Sequence, residues 1–554
     1  ISILFSLVGF SQEFQLKIIG STDIETKVVD SLGYTKNHSD YKSIEQEVDS
    51  IQRRLFKIGY IENKLIQISK VNDSSFASEI QLKNKFNTIY IEYNNNDIKK
   101  PTLNLVSKSV FDDYFVLSFS AIENALAFIN SEVSKKGFPF SKLKLVNIRK
   151  EADGVLKANL IIDVQNQKRT IDQIVIKGYE KFPRSYLNHF LKLKQRQVFD
   201  LSTVQKKTNQ LNNLNFANEI KSPEVLFSKD STTLYLYLEK SKSNAFDGFL
   251  GFGTNEETNK LQFDGYLNLN LNNNLNFGES FHQLYKSDEN DQQTFEADVS
   301  LPYLFKSPIG VDLLLRIFRR DSSFTTTNQS AKLHYQINSN HKVFSGIIAT
   351  ESSNLLSENL TPLITDYKTQ YFTFAYQFVA SQNYNILFPI NSRIFFETGF
   401  GDRTTSDSSE NQTQLLIDAN KIFNLNLKNS FYLRVNGASL ISDSYFENEL
   451  LRFGGINSIR GFEENSLYAT LYGVINTENR YQESKSIYVH SIIEAANLEN
   501  KIIKSEQKLF DYGFGFGLLT KAGLFRFKYS NGKREDVSFK LSNSKIHLSL
   551  TSKF

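Results

Sequence analysis

The chain has 554 residues, with 64 Lys+Arg against 60 Asp+Glu and a formal net charge of +4. It is long enough for several domains, and a charge so balanced argues against nucleic acid as the main partner. Cysteine is absent, which excludes disulfides, thiolate metal sites and a cysteine nucleophile. The histidines (38, 189, 282, 334, 341, 490 and 547) form no close pair at metal-ligand spacing, so neither metal nor cofactor is expected. No apolar run approaches the roughly 18 residues of a spanning helix.

The chain begins "ISILFSLVGFSQEF", an apolar run followed by a small-x-small pattern, Gly9-Phe10-Ser11, before Gln12. That order reads as the end of a secretory signal peptide. With no Met anywhere in the sequence, residues 1–11 are expected to be the remnant of a leader whose basic start is missing. The alternative is a short buried strand or helix.

Three segments then share one grammar. Ser43 before Gln46, Ser120 before Glu123 and Ser202 before Gln205 each match the capping box, in which a hydroxyl and a side-chain carbonyl satisfy orphan amides at a helix start. Behind them run apolar stripes at helical spacing: Ile44, Val48, Ile51, Leu55; then Ile122, Ala125, Leu126, Ile129, Val133; then Val204, Leu211, Leu214. The helices are expected to end near Tyr60, Phe138 and Phe216, which stand at equal intervals. An alternating strand closes each unit: "NTIYIEY", "ANLIIDV" and "TTLYLYLEK", the last with Leu234, Leu236 and Leu238 on one face. A fixed period of this size signals an array of modules.

Beyond about residue 244 the helical period gives way to period two. "YLNLNLNNNLNF" sets Leu267, Leu269 and Leu271 against Asn268, Asn270 and Asn272. "YFTFAYQF" sets Phe372, Phe374, Tyr376 and Phe378 against Thr373 and Gln377. "IFNLNLKN" (Phe423, Leu425, Leu427) and "SFYLRVNG" (Phe431, Leu433, Val435) repeat the scheme, the mark of an antiparallel sheet with one apolar face. A soluble sandwich patterns similarly. The length of this half suits about sixteen strands, an even count as in outer-membrane barrels. Its polar positions, rich in Asn, Thr, Ser, Lys and Arg, suit a wet lumen. A closed barrel also satisfies every backbone amide in lipid without a long apolar run. The chain ends "KIHLSLTSKF", with Ile546, Leu548, Leu550 and Phe554 in step.

"GFLGFG" (248–253) looks superficially like a phosphate-binding glycine loop, but it falls in the first barrel strand, with Gly251 and Gly253 on one face. Glycine weakens strand pairing, and this strand must meet the last one to close the barrel. The remaining conspicuous motif is "GGINSIRGF": Gly454, Gly455, Ile459, Arg460, Gly461 and Phe462. Nothing adjacent in sequence partners the Arg460 charge.

The third unit, from "IDQIVIKGYEKF" to "LNFANEI", resembles a POTRA (polypeptide-transport-associated) domain almost throughout. The first unit fits with a long connection. The second fits from Ser120 onward, "KKPTLNLVS" being a poor opening strand, so three modules are favoured and two or four remain open. Such modules before a barrel, with "GGINSIRGF" like the family's (Val/Ile)-Arg-Gly-(Phe/Tyr) loop, resemble the BamA/TamA superfamily of outer-membrane assembly and translocation proteins. "GVINTENRYQ" is similar to the family's strand carrying a glutamate before an Arg-aromatic pair, which falls on Glu478. "SIIEAAN" is similar to the next strand, with Glu494 and Ala496 where the family has aspartate and glycine.

The resemblance implies an α+β periplasmic part (β-α-α-β-β repeats) followed by an antiparallel transmembrane β-barrel. The expected divisions are 12–95, 96–168 and 169–243 for the modules and 244–554 for the barrel. It implies a loop pinned in the lumen by Arg460 bonded to Glu494, Glu478 or both, and a seam of Gly251 and Gly253 against Ile546, Leu548, Leu550 and Phe554. It implies no enzyme: a factor in the outer membrane that receives unfolded clients and inserts them through the seam, with accessory periplasmic or inner-membrane proteins as further partners. The alternative is a two-partner-type pore exporting one dedicated cargo.

Overall fold

The computed structural model describes residues 13–151, 155–164, 168–254, 261–287, 292–356, 363–382, 384–535, 537 and 540–554; the expected leader remnant lies outside them. The chain divides into two compact units, residues 1–170 with 198–203, and residues 171–197 with 204–554.

The first unit holds two modules. In the first, strands Phe14–Gly20 and Ser75–Gln81 pair in parallel at the centre of a four-stranded sheet. Helix Tyr41–Lys57 lays Ile44, Val48, Ile51 and Leu55 against Leu16, Ile18, Ile80 and Leu82. All four stripe residues are fully buried, each burial contributing about 1.5–3 kcal/mol. The second module is a five-stranded sheet in the order Ser109–Val110, Tyr114–Ser118, Thr88–Glu92, Leu156–Asp163, Lys142–Lys150, covered by helix Ile122–Lys135.

Two expectations change here. Strand Thr88–Glu92 ("NTIYIEY") does not close the first module; it pairs with Leu156–Asp163 and Tyr114–Ser118 and so opens the second. The first boundary therefore falls before residue 88 rather than at 95. Alternation identifies a strand but not the sheet it joins.

At none of the expected capping boxes, moreover, does the serine cap its helix. Asp40 accepts the Ser43 amide at 2.7 Å at the head of Tyr41–Lys57. Ser120 sits in a single 3-10 turn ahead of Ile122–Lys135, which has no side-chain cap. Asp200 accepts the amides of Ser202 and Thr203 at 3.2 and 3.0 Å at the head of Leu201–Thr208. A carboxylate is the stronger acceptor and also suits the positive helix end. The aspartates therefore displace the serines.

The third module pairs Gln173–Gly178 in parallel with Thr232–Lys240, and the latter antiparallel with Ala217–Phe227. Leu234, Leu236 and Leu238 form its buried face. It leads directly into a closed barrel of sixteen antiparallel strands, from Ala245–Thr254 to Ser544–Lys553.

The barrel is apolar outside and polar inside. On its eighth strand, Tyr367–Ser381, Phe372 and Phe374 are 50% and 49% exposed, while the alternating Tyr371 and Thr373 are buried. On the last strand Ile546, Leu548 and Leu550 face outward while His547 turns in to bond the lumenal loop. Asn268 and Asn270 bond inside an inward network with Tyr266 and His282. A sandwich would cover the apolar face, whereas this barrel presents it to its surroundings, as a hydrocarbon solvent requires. No described helix is long and apolar enough to cross a membrane; this barrel crosses with strands. One stretch departs from the alternation: the tenth strand stops at Asn424, so Leu425 and Leu427 of "IFNLNLKN" lie in the turn before Asn429–Ile441.

The third module is fastened to two barrel turns by tyrosines. Tyr179 Oη donates to Asn276 Oδ1 at 2.6 Å and accepts from Asn273 Nδ2 at 2.8 Å. Tyr186 Oη donates to the Gly278 carbonyl at 3.1 Å, and its ring meets Tyr303 edge-on. Burial at this junction holds the Tyr186 phenol above its ordinary pKa. His189 bonds the Lys306 carbonyl at 2.8 Å.

Candidate functional site: the lumenal arginine loop

Between the eleventh strand, Asn429–Ile441, and the twelfth, Leu471–Gln482, the chain leaves the barrel wall and folds inward. A short ladder, Leu451–Phe453 with Leu467–Ala469, forms the stem. Phe453 stacks on Tyr472 with ring centroids 4.3 Å apart. Ile459 is fully buried in an apolar cluster with Phe453, Leu467, Val474, Ala496, Leu498 and Leu509. The turn out of the stem runs through Gly454 and Gly455 at φ 111° and 86°, a region that L side chains rarely enter.

Arg460 is 7% exposed and Glu478 and Glu494 are 4% and 2% exposed. Arg460 Nη2 donates to Glu478 Oε1 at 2.6 Å. The other oxygen of Glu478 accepts from Arg480 Nε and lies 2.7 Å from Arg480 Nη2 as well. Glu478 thus sits between two guanidinium groups. Arg480 is in turn sandwiched between Phe388 and Tyr432, its guanidinium carbon 4.3 and 4.1 Å from the ring centroids.

Glu494 acts differently. Its Oε2 accepts the backbone amide of Arg460 at 2.7 Å, while its Oε1 stands 3.3 Å from Arg460 Nε without hydrogen-bond geometry. The sequence-predicted pair is therefore present, but divided. Glu478 binds the side chain, and Glu494 chiefly binds the main chain. Ala496, in the position of the family's glycine, fills part of the cluster around Ile459.

Several residues that hold the loop were missed in the sequence. Asp511 Oδ2 accepts the Gly461 amide at 3.0 Å and also bonds the Ser530 hydroxyl. His547 Nε2 donates to the Arg460 carbonyl at 2.9 Å. Asn476 and Arg434 donate to the carbonyls of Ser458 and Asn457 at 2.7 and 2.6 Å. The backbone of Gly461 lies against that of Gly532 so closely that a Cβ on either would collide with main-chain atoms of the other. Phe462 covers the same spot. The one signal available beforehand was a lone acid, Asp511, among the aromatics and glycines of "LFDYGFGFG".

Past the arginine, adjacent acids reach opposite ways. Glu463 pairs with Lys545 on the last strand at 2.8 Å, and Glu464 with Lys286 on the third strand, Ser280–Ser287, at 3.3 Å. The loop therefore links both sides of the junction where the barrel closes.

That junction is sparse. The first and last strands share two residue pairs, Ala245 with Lys553 and Phe246 with Ser552, and the Phe554 amide donates to the Asn244 carbonyl at 3.1 Å. The first and second strands, by contrast, are paired from Ala245–Asn270 through Thr254–Leu261. Gly251, Gly253, Ile546, Leu548 and Leu550 lie on the two strands that meet there but outside the shared ladder.

The fold and the loop define an outer-membrane β-barrel preceded by POTRA-like modules in the periplasm. Residues 169–239 match the POTRA family model, described as a surface antigen variable number repeat. Among solved structures, CdiB from Escherichia coli is 14% identical, covering 93% of this chain and 97% of its own with a TM-score of 0.54. CdiB from Acinetobacter baumannii is 14% identical over 78% of this chain and 82% of its own, with a TM-score of 0.51. BamA from Haemophilus ducreyi lacking POTRA domains 1-3 is 13% identical over 84% of this chain and 99% of its own, with a TM-score of 0.49. No curated protein matches in sequence. The chain has the fold of the two CdiB barrels.

Proposed function

We propose that the chain is an assembly factor that receives unfolded outer-membrane proteins at its POTRA modules and inserts them through the seam between its first and last strands. The observation that carries this reading is the seam. Among the described residues, two ladder pairs at one end of the junction leave the seam-facing edges of both strands otherwise outside any ladder, and an incoming strand can add to such an edge through main-chain hydrogen bonds. The client's own folding into lipid supplies the free energy, and the barrel lowers the barrier. The pinned loop keeps the lumenal side of the wall ordered while the seam changes partners.

Export of one dedicated cargo is the second reading, favoured by the likeness to two CdiB barrels, which are of the two-partner type. Depletion of the protein followed by a survey of the outer membrane separates the two. Broad loss of other barrels supports assembly, and loss of a single secreted protein supports export.

A further inference from the structure

The first barrel strand starts at the third module, so the turn that follows an even-numbered strand lies on the module side. The turn joining the eighth strand to the ninth, Ile390–Thr404, is one of these, and two carboxamides tie it into a compact unit. Gln382 Nε2 donates to the Phe388 carbonyl at 2.6 Å, and the Gln382 amide donates to the Pro389 carbonyl at 2.8 Å. Asn385 Oδ1 accepts the amides of Leu387 and Phe388 at 3.1 and 3.2 Å. Asn424, at the end of the tenth strand, donates to Gln382 Oε1 at 3.0 Å.

The turn then reaches past the eleventh strand. Asn385 Nδ2 donates to Gln482 Oε1 at 2.9 Å, at the end of the twelfth strand. Phe388 meets Tyr488 of the thirteenth strand, Ile487–Asn500, edge-on with ring centroids 4.7 Å apart. Tyr488 is buried while Ile487 and Val489 beside it are exposed, so the contact lies on the lumenal side of the wall. Phe388 is also one of the two rings that enclose the Arg480 guanidinium; the other, Tyr432, belongs to the wall.

That enclosure bears on the arginine loop. Arg480 holds one oxygen of Glu478, whose other oxygen holds the Arg460 side chain. A guanidinium between two rings is fixed in its plane and kept from water. With one ring withdrawn it is hydrated on that face, and its hold on the carboxylate loosens.

We propose that the turn Gln382–Pro389 is a module-side strap for the arginine loop. Phe388 is a positioning residue: it fixes Arg480, and through it Glu478, so that withdrawing the strap loosens the loop. A polypeptide entering the lumen along this wall displaces the strap, whereas a strand added at the seam does not touch it. The inference rests on the closed barrel and the docked loop, and not on which client the protein handles.

Ser458 Oγ is buried without a hydrogen-bond partner among the described residues, so Ser458→Cys places a concealed thiol in a chain that has no other. The barrel is reconstituted in phosphatidylcholine vesicles, and the rate at which a small charged thiol reagent labels this cysteine reads how often the loop undocks. Heat-modifiable gel migration checks that each variant is folded. Phe388→Ala is expected to raise the rate about 5- to 30-fold, the range for one desolvated cation–ring contact. Phe388→Leu, which keeps bulk but no ring, should do the same and serves alone if the alanine variant does not fold. Phe388→Tyr keeps the ring, and Ile386→Ala alters an exposed side chain of the same turn; both should leave the rate unchanged. With Arg480→Ala already present, Phe388→Ala should add nothing. An unchanged rate in Phe388→Ala or Phe388→Leu overturns the inference. So does an equal acceleration with Arg480 absent, which makes Phe388 a packing residue and no more.

Discussion

Replacing Glu478 by glutamine tests how the charge is shared inside the barrel. Glu478 accepts from Arg460 on one oxygen and from Arg480 on the other, all at 2.6–2.7 Å and away from water. Glutamine keeps one acceptor, turns an amide donor toward a guanidinium and removes the counter-charge of two cations at once. Breaking a buried pair by removing one partner costs about 3–5 kcal/mol, and two stranded cations place Glu478→Gln at the upper end. In Glu494→Gln the amide oxygen can still accept the Arg460 main-chain amide, and Oε1 of the native glutamate makes no hydrogen bond to Arg460 Nε that the change could remove. That substitution keeps the main-chain bond and loses only the 3.3 Å charge contact with Arg460 Nε, so it should cost about 1–3 kcal/mol, less than Glu478→Gln. Urea unfolding of the detergent-solubilised barrel, followed by gel migration, gives both values. In Arg460→Ala combined with Glu478→Gln, the coupling should be about 2–3 kcal/mol, within the range for contacting residues. A larger loss for Glu494→Gln than for Glu478→Gln would refute the division of roles drawn from the geometry. The division also means that exchanging Arg460→Glu with Glu494→Arg should not restore function, because the carboxylate at 494 serves a main-chain amide that the swap leaves without an acceptor.

Further expectations follow from close approaches and from the seam. Gly461→Ala places a methyl against Gly532 main chain, an overpacking of about 1–3 kcal/mol or more that only undocking relieves. Trypsin should then cut the folded barrel after Arg460, where the wild type resists; equal resistance would show the loop still docked. In a chain without cysteine, Phe246→Cys with Ser552→Cys should cross-link on oxidation and stop client insertion until reduced. Unchanged insertion by the cross-linked barrel would remove the seam from the mechanism. At the module junction, Tyr186→Phe loses one hydrogen bond, about 1 kcal/mol, and Tyr186→Ala leaves a cavity costing about 3–5 kcal/mol. Thermal unfolding of the two variants should show that order.

The amino-acid sequence alone determined the period of each segment. Helical stripes such as Ile44, Val48, Ile51 and Leu55 are buried as their spacing requires, because a helix can hide only one face. Period two from residue 244 onward determined strands, and the length suited about sixteen, the number that closes the barrel. The arginine loop and its two glutamates were legible through resemblance rather than period: "GGINSIRGF", "GVINTENRYQ" and "SIIEAAN" resemble family segments, and a buried guanidinium needs a carboxylate. Local pattern was a weaker guide where two acceptors competed for one helix end, and there Asp40 and Asp200 outranked the serines.

Tertiary structure decided the rest, because closure brings together groups that no local pattern relates. Alternation in Phe372, Thr373 and Phe374 is the same in a sandwich and a barrel; only closure turns the phenylalanines to lipid and the threonine to the lumen. Which sheet Thr88–Glu92 joins is decided by partners in Tyr114–Ser118 and Leu156–Asp163. Asp511, Gly532 and His547 meet the loop from strands fourteen, fifteen and sixteen, so their roles exist only once the wall has curved around it. The division between Glu478 and Glu494 has the same origin: both face inward from the wall, and only the docked loop brings the Arg460 side chain to one and its main-chain amide to the other.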